Sequence, residues 1–401
     1  MLDRRSLFAA TAAVGSFVGA AFGSRKATAA TTYATNRTLP GEVEPRGTDG
    51  RHERLPTLHM ESQHDFHSGF RGWHATHANK AAQQRVEKIM EDKGLDKRAP
   101  MSVEEALPMI ENDHVVGTSG RTWISNQQIM WKGMQDYYHE HADAYLAEME
   151  ATDNIGPGTL ELNPDMEIPT YTKHEIHMQP GGYVGDAFAG HLYHYGTNNF
   201  YTGGRGDNEQ DQIHIGTAER MPLPEDGKVK RILVQGCGPG QFTVALKERF
   251  PDAEVWGIDV GGPLVRYGHM RAVELGVDVN FAQRLAEDTK FPDDHFDIVT
   301  SFIIHHELPA DKTREVFREA YRVTRKGGYF YPVDFQTRPD KNPAYAQYRT
   351  WWDHRWNTEV WSKEFRSINM EDELVNAGFK LKEDAVAVLR GFGVRHAIKQ
   401  A

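Results

Sequence analysis

The sequence predicts an α/β fold, a parallel sheet flanked by helices, with a mainly helical extension before it. Three observations predict this. From Lys230 onward, short apolar runs alternate with helix-period stretches, the pattern of βαβ units. A glycine turn, Gly236-Cys237-Gly238-Pro239-Gly240, joins the first apolar run to its helix. Before about residue 220 the alternation is absent, and helix-period segments with capping signals take its place.

Arg231 to Gln235 (RILVQ) reads as the first strand and Gln241 to Phe250 as the following helix. Glu254 to Ile258 reads as a second strand, ending at Asp259, and implies a right-handed crossover. Glycines in the turn let the backbone approach a ligand, and a helix N-terminus favours negative charge. An acid at the end of the second strand can accept hydrogen bonds from two ribose hydroxyls. Asp259 stands nineteen positions after Gly240, the separation such a unit needs. The glycines fall at 236, 238 and 240, with Gln at 241, which departs from the G-x-G-x-x-G dinucleotide fingerprint.

The G-x-G-x-G form, in the run ILVQGCGPG, resembles the S-adenosylmethionine (SAM)-dependent methyltransferases. The likeness continues through Ala286-Glu287-Asp288 and Phe291 to Val299, a stretch similar to one in the methyltransferases of quinone biosynthesis. Ser301-Phe302-Ile303-Ile304-His305-His306-Glu307 resembles that family's segment after the fourth strand, Phe296 to Phe302. Lys326-Gly327-Gly328 resembles its turn into the fifth strand. Phe379 to Leu389 and Val394 to Lys399 fit its closing antiparallel pair. The resemblance spans roughly the last 170 residues. It implies a Rossmann-like seven-stranded methyltransferase sheet in residues 221–401, SAM as cofactor and a small-molecule substrate. Carried over by position, it implies a cofactor set of Gly236, Cys237, Gly238, Gly240, Asp259, Val260, Ala286, Glu287 and Ser301. Two positions depart from the family. Val234 stands where an acid commonly helps hold the methionine end of SAM, and Leu285 where an acid usually precedes the Ala-Glu pair.

His305 and His306 follow a central strand at its carboxyl end, where open α/β sheets bind ligands, and an imidazole there could take a proton near neutral pH. They are candidate catalytic residues, with Asp334 after the fifth strand as a third; the alternative is that one histidine is structural. Methyl transfer itself needs mainly alignment of nucleophile and methyl group.

Residues 51–220 form the extension, a candidate substrate lid, and hold 14 of the 20 histidines. Helices are predicted over Asn79 to Lys93 and Ile124 to Met149, with Met130, Met134, Tyr137, His141 and Tyr145 on one packing face. Ser102 and Glu105 form a capping box. His64, His67, His74 and His77, and the pairs His174/His177 and His191/His194, invite a metal reading. Chance accounts for such spacings in a His-rich segment and no HExxH accompanies them, so no metal ligand is assigned. The segment from Gln179 to Phe200 mixes glycine with Tyr, His and Asn. Tyr183, Tyr195, Asn198 and Asn199 are candidate substrate contacts; the competing reading is a glycine-rich connector.

The first thirty residues read as a targeting segment: Arg4-Arg5, an uncharged run from Leu7 to Gly23, then Ala27-Thr28-Ala29. The pattern resembles a twin-arginine signal, implying the twin-arginine export machinery as a partner and a periplasmic or membrane-tethered protein; without that signal in use the protein is cytoplasmic. Residues 31–50 read as linker. Export would remove the protein from the cytosolic SAM pool. That tension, with Val234 and Leu285, motivates a second reading, a non-catalytic SAM-binding or ligand-sensing protein. The formal net charge of -11 argues against a nucleic-acid partner. The single cysteine, Cys237, excludes an internal disulfide. Oligomeric state is left open.

Overall fold

The computed structural model describes residues 55–196, 209–336, 342–387 and 391–400, with short strand pieces at 48–49 and 52–53. The targeting segment, most of the linker, and Asn198 and Asn199 lie outside the described residues. Nine strands form one sheet: β1 Leu160–Glu161, β2 Arg231–Gln235, β3 Glu254–Asp259, β4 Asn280–Gln283, β5 Phe296–Phe302, β6 Thr324–Phe335, β7 Lys380–Lys382, β8 Phe392–Val394 and β9 His396–Ile398. Their order is β1-β4-β3-β2-β5-β6-β9-β7, with β8 beside β6. Strands β1 to β6 run parallel to their neighbours, while β7, β8 and β9 pair antiparallel.

The seven expected strands are present as β4-β3-β2-β5-β6-β9-β7, and two more join them. The extension supplies β1 to the open edge of β4, where the Phe281 N–H donates to the Thr159 carbonyl at 2.8 Å. This covers backbone groups that an edge strand leaves unpaired. Strand β6 outruns β9, which pairs only at Tyr329 and Phe330, so β8 takes Val333 to Phe335. Strand β6 also begins earlier than the glycine turn predicted, with Thr324 already paired to Phe296.

Strand side chains alternate between two cores. Ile232, Val234, Val255, Phe281 and Ile298 enter one, and Leu233, Ile258, Ala282 and Val299 the other. Burial on both faces explains the near-continuous apolar runs of the parallel strands. The chain fills β2, β3 and β4 in one direction and then crosses to β5 and β6, so the topological switch lies between β2 and β5.

The helices are α1 Leu58–Trp73, α2 Asn79–Asp92, α3 Val103–Ile110, α4 His114–Glu140, α5 Ala142–Thr152, α6 Ala189–Tyr195, α7 Glu209–Arg220, α8 Gln241–Arg249, α9 Gly262–Leu275, α10 Ala310–Val323 and α11 Ala344–Trp356, with two short ones after. The capping box at Ser102 and Glu105 is formed. The single helix predicted over 124–149 is two. Asp113 caps α4 ten residues earlier than expected, and the chain breaks at His141, whose Nδ1 turns back to the Tyr137 carbonyl at 2.9 Å. The predicted face still packs: Met130, Met134 and Tyr145 are buried in a core shared with Tyr267 and Met270 of α9 and Tyr348 and Trp352 of α11. Arg266 of α9 also holds Asp153 at the end of α5 with bonds of 2.8 and 2.6 Å. The described residues after Thr35 pack as one compact unit, in which the sequence patterns on either side of residue 220 meet.

Candidate active site

The glycine turn lies between β2 and α8. Gly236, Gly238 and Gly240 have φ of +64°, +53° and +82°. A Cβ at Gly236 would collide with Ile304 and one at Gly240 with Phe281, whereas one at Gly238 would meet nothing within 4 Å. Gly236 and Gly240 are therefore packing requirements, and Gly238 is where the backbone stays open to a ligand. The Asp259 carboxylate accepts from the Gly238 N–H at 2.9 Å and the Gly261 N–H at 2.8 Å, tying the turn to the end of β3. Burial pushes this carboxyl above its usual range, and those N–H groups oppose the shift.

A cavity of about 470 Å³ opens at this switch. Gly236, Cys237, Gly238, Asp259, Val260, Ala286 and Glu287 line it, as does Tyr183. Burial and the Asp259 charge push the Cys237 thiol well up, which keeps it protonated. Glu287 is held by the Tyr171 hydroxyl, which donates to it. Val234 and Leu285, the two departures, also line the cavity and make those parts of its wall apolar.

The structure places several of the assigned residues away from the cavity. Gly240 is not among the cavity-lining residues; it sits against Phe281. Ser301 is fully buried and pairs with His305 Nε2 at 2.9 Å. His305 is itself fully buried, packed on Phe317 and Phe330, and burial brings its imidazole down to about 4. Neither lines the cavity. This pair joins β5 to the turn after it, so of the two adjacent histidines His305 is the structural one. Asp334 is also fully buried and outside the lining; its Oδ2 accepts from the His305 N–H at 2.7 Å and its Oδ1 lies 2.8 Å from His306 Nδ1. It braces His305 and His306 from behind. Tyr195 is buried in the helical core, 3% exposed, because α6 turns that side away from the cavity.

His306 does line the cavity, with Glu307 and with His177 of the extension. His306 Nε2 lies 3.3 Å from Glu307 Oε1, and His177 Nε2 lies 3.7 Å from the same oxygen. His177 Nδ1 is 2.7 Å from Glu359 Oε1. Burial opposes charge on His306, but Asp334 and Glu307 overcome it and hold the imidazole well above its usual value. Burial raises Glu307, whereas Glu359 stays low because His177 and His306 outweigh its burial. The sequence named His177 only as one of several chance His pairs, and it missed Glu307, Glu359, Arg71 and Tyr171. Glu307, beside two named histidines, carried a signal. Glu359 carried none, since it is brought in by the fold from more than fifty residues away.

Among the described residues the other histidines of the extension join no further metal-type group. His67 pairs with Asn126, His74 with the Ser119 carbonyl, and His194 with the Tyr267 hydroxyl.

Residues 232–328 match the family model of the methyltransferase domain. The relatives that resemble this part of the chain are named methyltransferases. The chain is 35% identical over 111 residues to the demethylmenaquinone methyltransferase of Thermus thermophilus, covering 27% of this chain and 49% of the relative. It is 34% identical over 130 residues to the fatty-acid O-methyltransferase of Mycolicibacterium smegmatis, covering 32% and 44%. The chain therefore spans less than half the length of either relative. A crystal structure of a SAM-dependent methyltransferase from Aquifex aeolicus aligns over 44% of this chain and 86% of that one, at 21% identity and a TM-score of 0.33. Among the described residues no helix is long and apolar enough to cross a membrane.

Proposed function

We propose that the protein transfers a methyl group from SAM to a small-molecule acceptor. The observation that carries this reading is that one cavity is lined by both the nucleotide-type residues and a polar His-Glu group. The open backbone at Gly238, the Asp259 carboxylate and Ala286-Glu287 form the cofactor side. Phe302, Phe335 and Phe392, with Tyr183 and Tyr193, supply apolar and aromatic surface for an acceptor. Ten lining residues, from Arg71 to His214, come from the extension, which supports its reading as a substrate cover. The sulfonium makes the methyl electrophilic, so catalysis rests on holding the acceptor atom in line with it and excluding water.

Isothermal titration with SAM followed by incubation with methyl-labelled SAM and panels of phenols, quinols and fatty acids tests this. One SAM per chain and label transfer to one acceptor class is the expected result. SAM binding with no transfer to any class favours the ligand-sensing reading, which Val234 and Leu285 at the cofactor wall support. For residues 1–30 we propose export of the folded protein. Fractionation of cells expressing the native chain and an Arg4→Lys, Arg5→Lys variant checks it, with loss of the exported form expected in the variant.

A further inference from the structure

We propose that His177, His306 and Glu307 bind one divalent transition-metal ion, with open coordination positions facing the cavity. The two imidazoles are arranged alike. Each has its Nδ1 against a carboxylate behind it, Asp334 for His306 at 2.8 Å and Glu359 for His177 at 2.7 Å. Each therefore turns its Nε2 toward Glu307 Oε1, at 3.3 and 3.7 Å. Charge-assisted hydrogen bonds are shorter, about 2.7–2.9 Å. A tetrahedral ion with bonds of about 2.1 Å sets its ligands about 3.4 Å apart. The separations around Glu307 thus match a shared ion better than a pair of hydrogen bonds. The ligand atoms of His177, His306, Glu307 and Glu359 all fall within 4.8 Å of one another.

Three further observations agree. His177, His306 and Glu307 line the cavity, whereas Asp334 and Glu359 do not. That is the division a metal site uses, with ligands in front and orienting carboxylates behind. The outer oxygens of Glu307 and Glu359 (Oε2) are buried with no hydrogen-bond partner, and Glu359 is only 6% exposed. A nearby cation would compensate both. The segments that deliver the cluster also carry non-glycine residues in the left-handed region: His177 at +51°, Met178 at +57°, Ile303 at +49° and Thr358 at +57°. Met178 N–H donates to Thr358 Oγ1 at 2.7 Å, and Trp131 Nε1–H donates to the His177 carbonyl at 2.8 Å, so the unfavoured backbone is held in place.

Two imidazoles and one carboxylate suit Zn, Fe or Co in the divalent state. Resting on the methyl-transfer reading, the ion's role is to hold an acceptor hydroxyl and lower its pKa. The hydroxyl proton passes to water, the oxygen forms a bond to the methyl carbon as the carbon–sulfur bond breaks, and the cofactor leaves as the neutral thioether. Binding of the ion does not depend on that reading.

The test uses the full chain, stripped with EDTA, dialysed and titrated with Zn²⁺ and Co²⁺. Elemental analysis after gel filtration should show one ion per chain. The thermal midpoint should rise, and Co²⁺ should give visible ligand-field bands. Glu307→Ala and His177→Ala, shown folded by circular dichroism, should lose the ion. Glu359→Gln should weaken it 10- to 100-fold as an orienting residue. Absence of a stoichiometric ion with either metal overturns the proposal, as does full retention by both alanine variants, which would put the ion elsewhere. SAM titration of the stripped protein is a separate arm. Loss of SAM binding there counts against the methyl-transfer reading only if restoring the ion fails to recover it.

Discussion

The cavity is lined by two sets of residues that reach it by different routes. The set proposed to hold the cofactor comes from short stretches at the ends of adjacent parallel strands: residues 236–238 after β2, Asp259 and Val260 after β3, and Ala286-Glu287 after β4. The His-Glu set is assembled from the extension at His177, from the turn after β5 at His306 and Glu307, and from behind by Asp334 and Glu359. The first set needs only the sheet order to converge. The second needs the extension to be packed on the sheet before its members meet. One set is therefore a property of the α/β unit, and the other a property of the whole chain.

The comparison predicts that damage to one set spares the other. The largest effect is expected from Asp334→Ala. It leaves His306 without its buried anion, and breaking such a pair costs about 3–5 kcal/mol. Denaturant unfolding should show that loss while SAM affinity, measured in the fraction still folded, stays near that of the native protein. Next, Asp259→Ala removes the proposed acceptor for the ribose hydroxyls and frees the Gly238 N–H. SAM affinity should fall by about 2–3 kcal/mol, a factor on the order of 100, as hydrogen bonds to a charged group imply. Calorimetry that finds affinity unchanged would show the cofactor seated away from β3. Within the glycine turn the two effects should separate again. Gly240→Ala strains a residue at +82° and drives a Cβ into Phe281, so unfolding should cost roughly 1–3 kcal/mol. Gly238→Ala also strains a residue at +53° but meets no protein atom, so its unfolding cost should be the smaller of the two and weaker SAM binding should appear beside it.

What could be read from the sequence follows the same divide. The strands, the glycine turn and Asp259 were legible because strand period, turn chemistry and a fixed spacing are local signals. Ser102 with Glu105 was legible for the same reason. Ser301, His305 and Asp334 were placed in the right segment, but the structure buries them behind the cavity wall. A polar residue just after a central strand has the same signature whether it faces ligand or braces the turn, and only burial separates the two. Tyr195 failed similarly, because one helical residue in a Gly-Tyr-His segment does not reveal which side of the helix packs. Strand β1 was invisible: two residues, Leu160 and Glu161, carry no period, and the edge of β4 recruits them. Glu359 is the extreme case, a carboxylate in an unremarkable stretch whose role exists only in three dimensions.

Buried histidines give the finest test of the comparison. In the His-Glu set, carboxylates offset burial and raise the His306 imidazole above its usual value. His64, in α1 of the extension, has no such partner. Burial, aided by the neighbouring His67, brings its imidazole down to about 3, and its Nε2 makes no hydrogen bond. The sign of the consequence follows from linkage. Between about 3 and its ordinary value of 6.5 the unfolded chain binds this proton and the folded chain does not. Stability therefore falls as pH falls through that window, by at most about 1.4 kcal/mol per pH unit for one such group, and levels off below it. His64→Leu keeps an apolar filling among Met60, Ile129, Met130 and Met134 and removes the buried nitrogen. The variant should be at least as stable as the native chain at pH 7. Its lead should widen on acidification toward pH 4, when unfolding free energies are compared across that range. A lead that stays constant with pH would mean that His64 binds its proton equally in the folded and unfolded chains, so that burial does not hold it neutral.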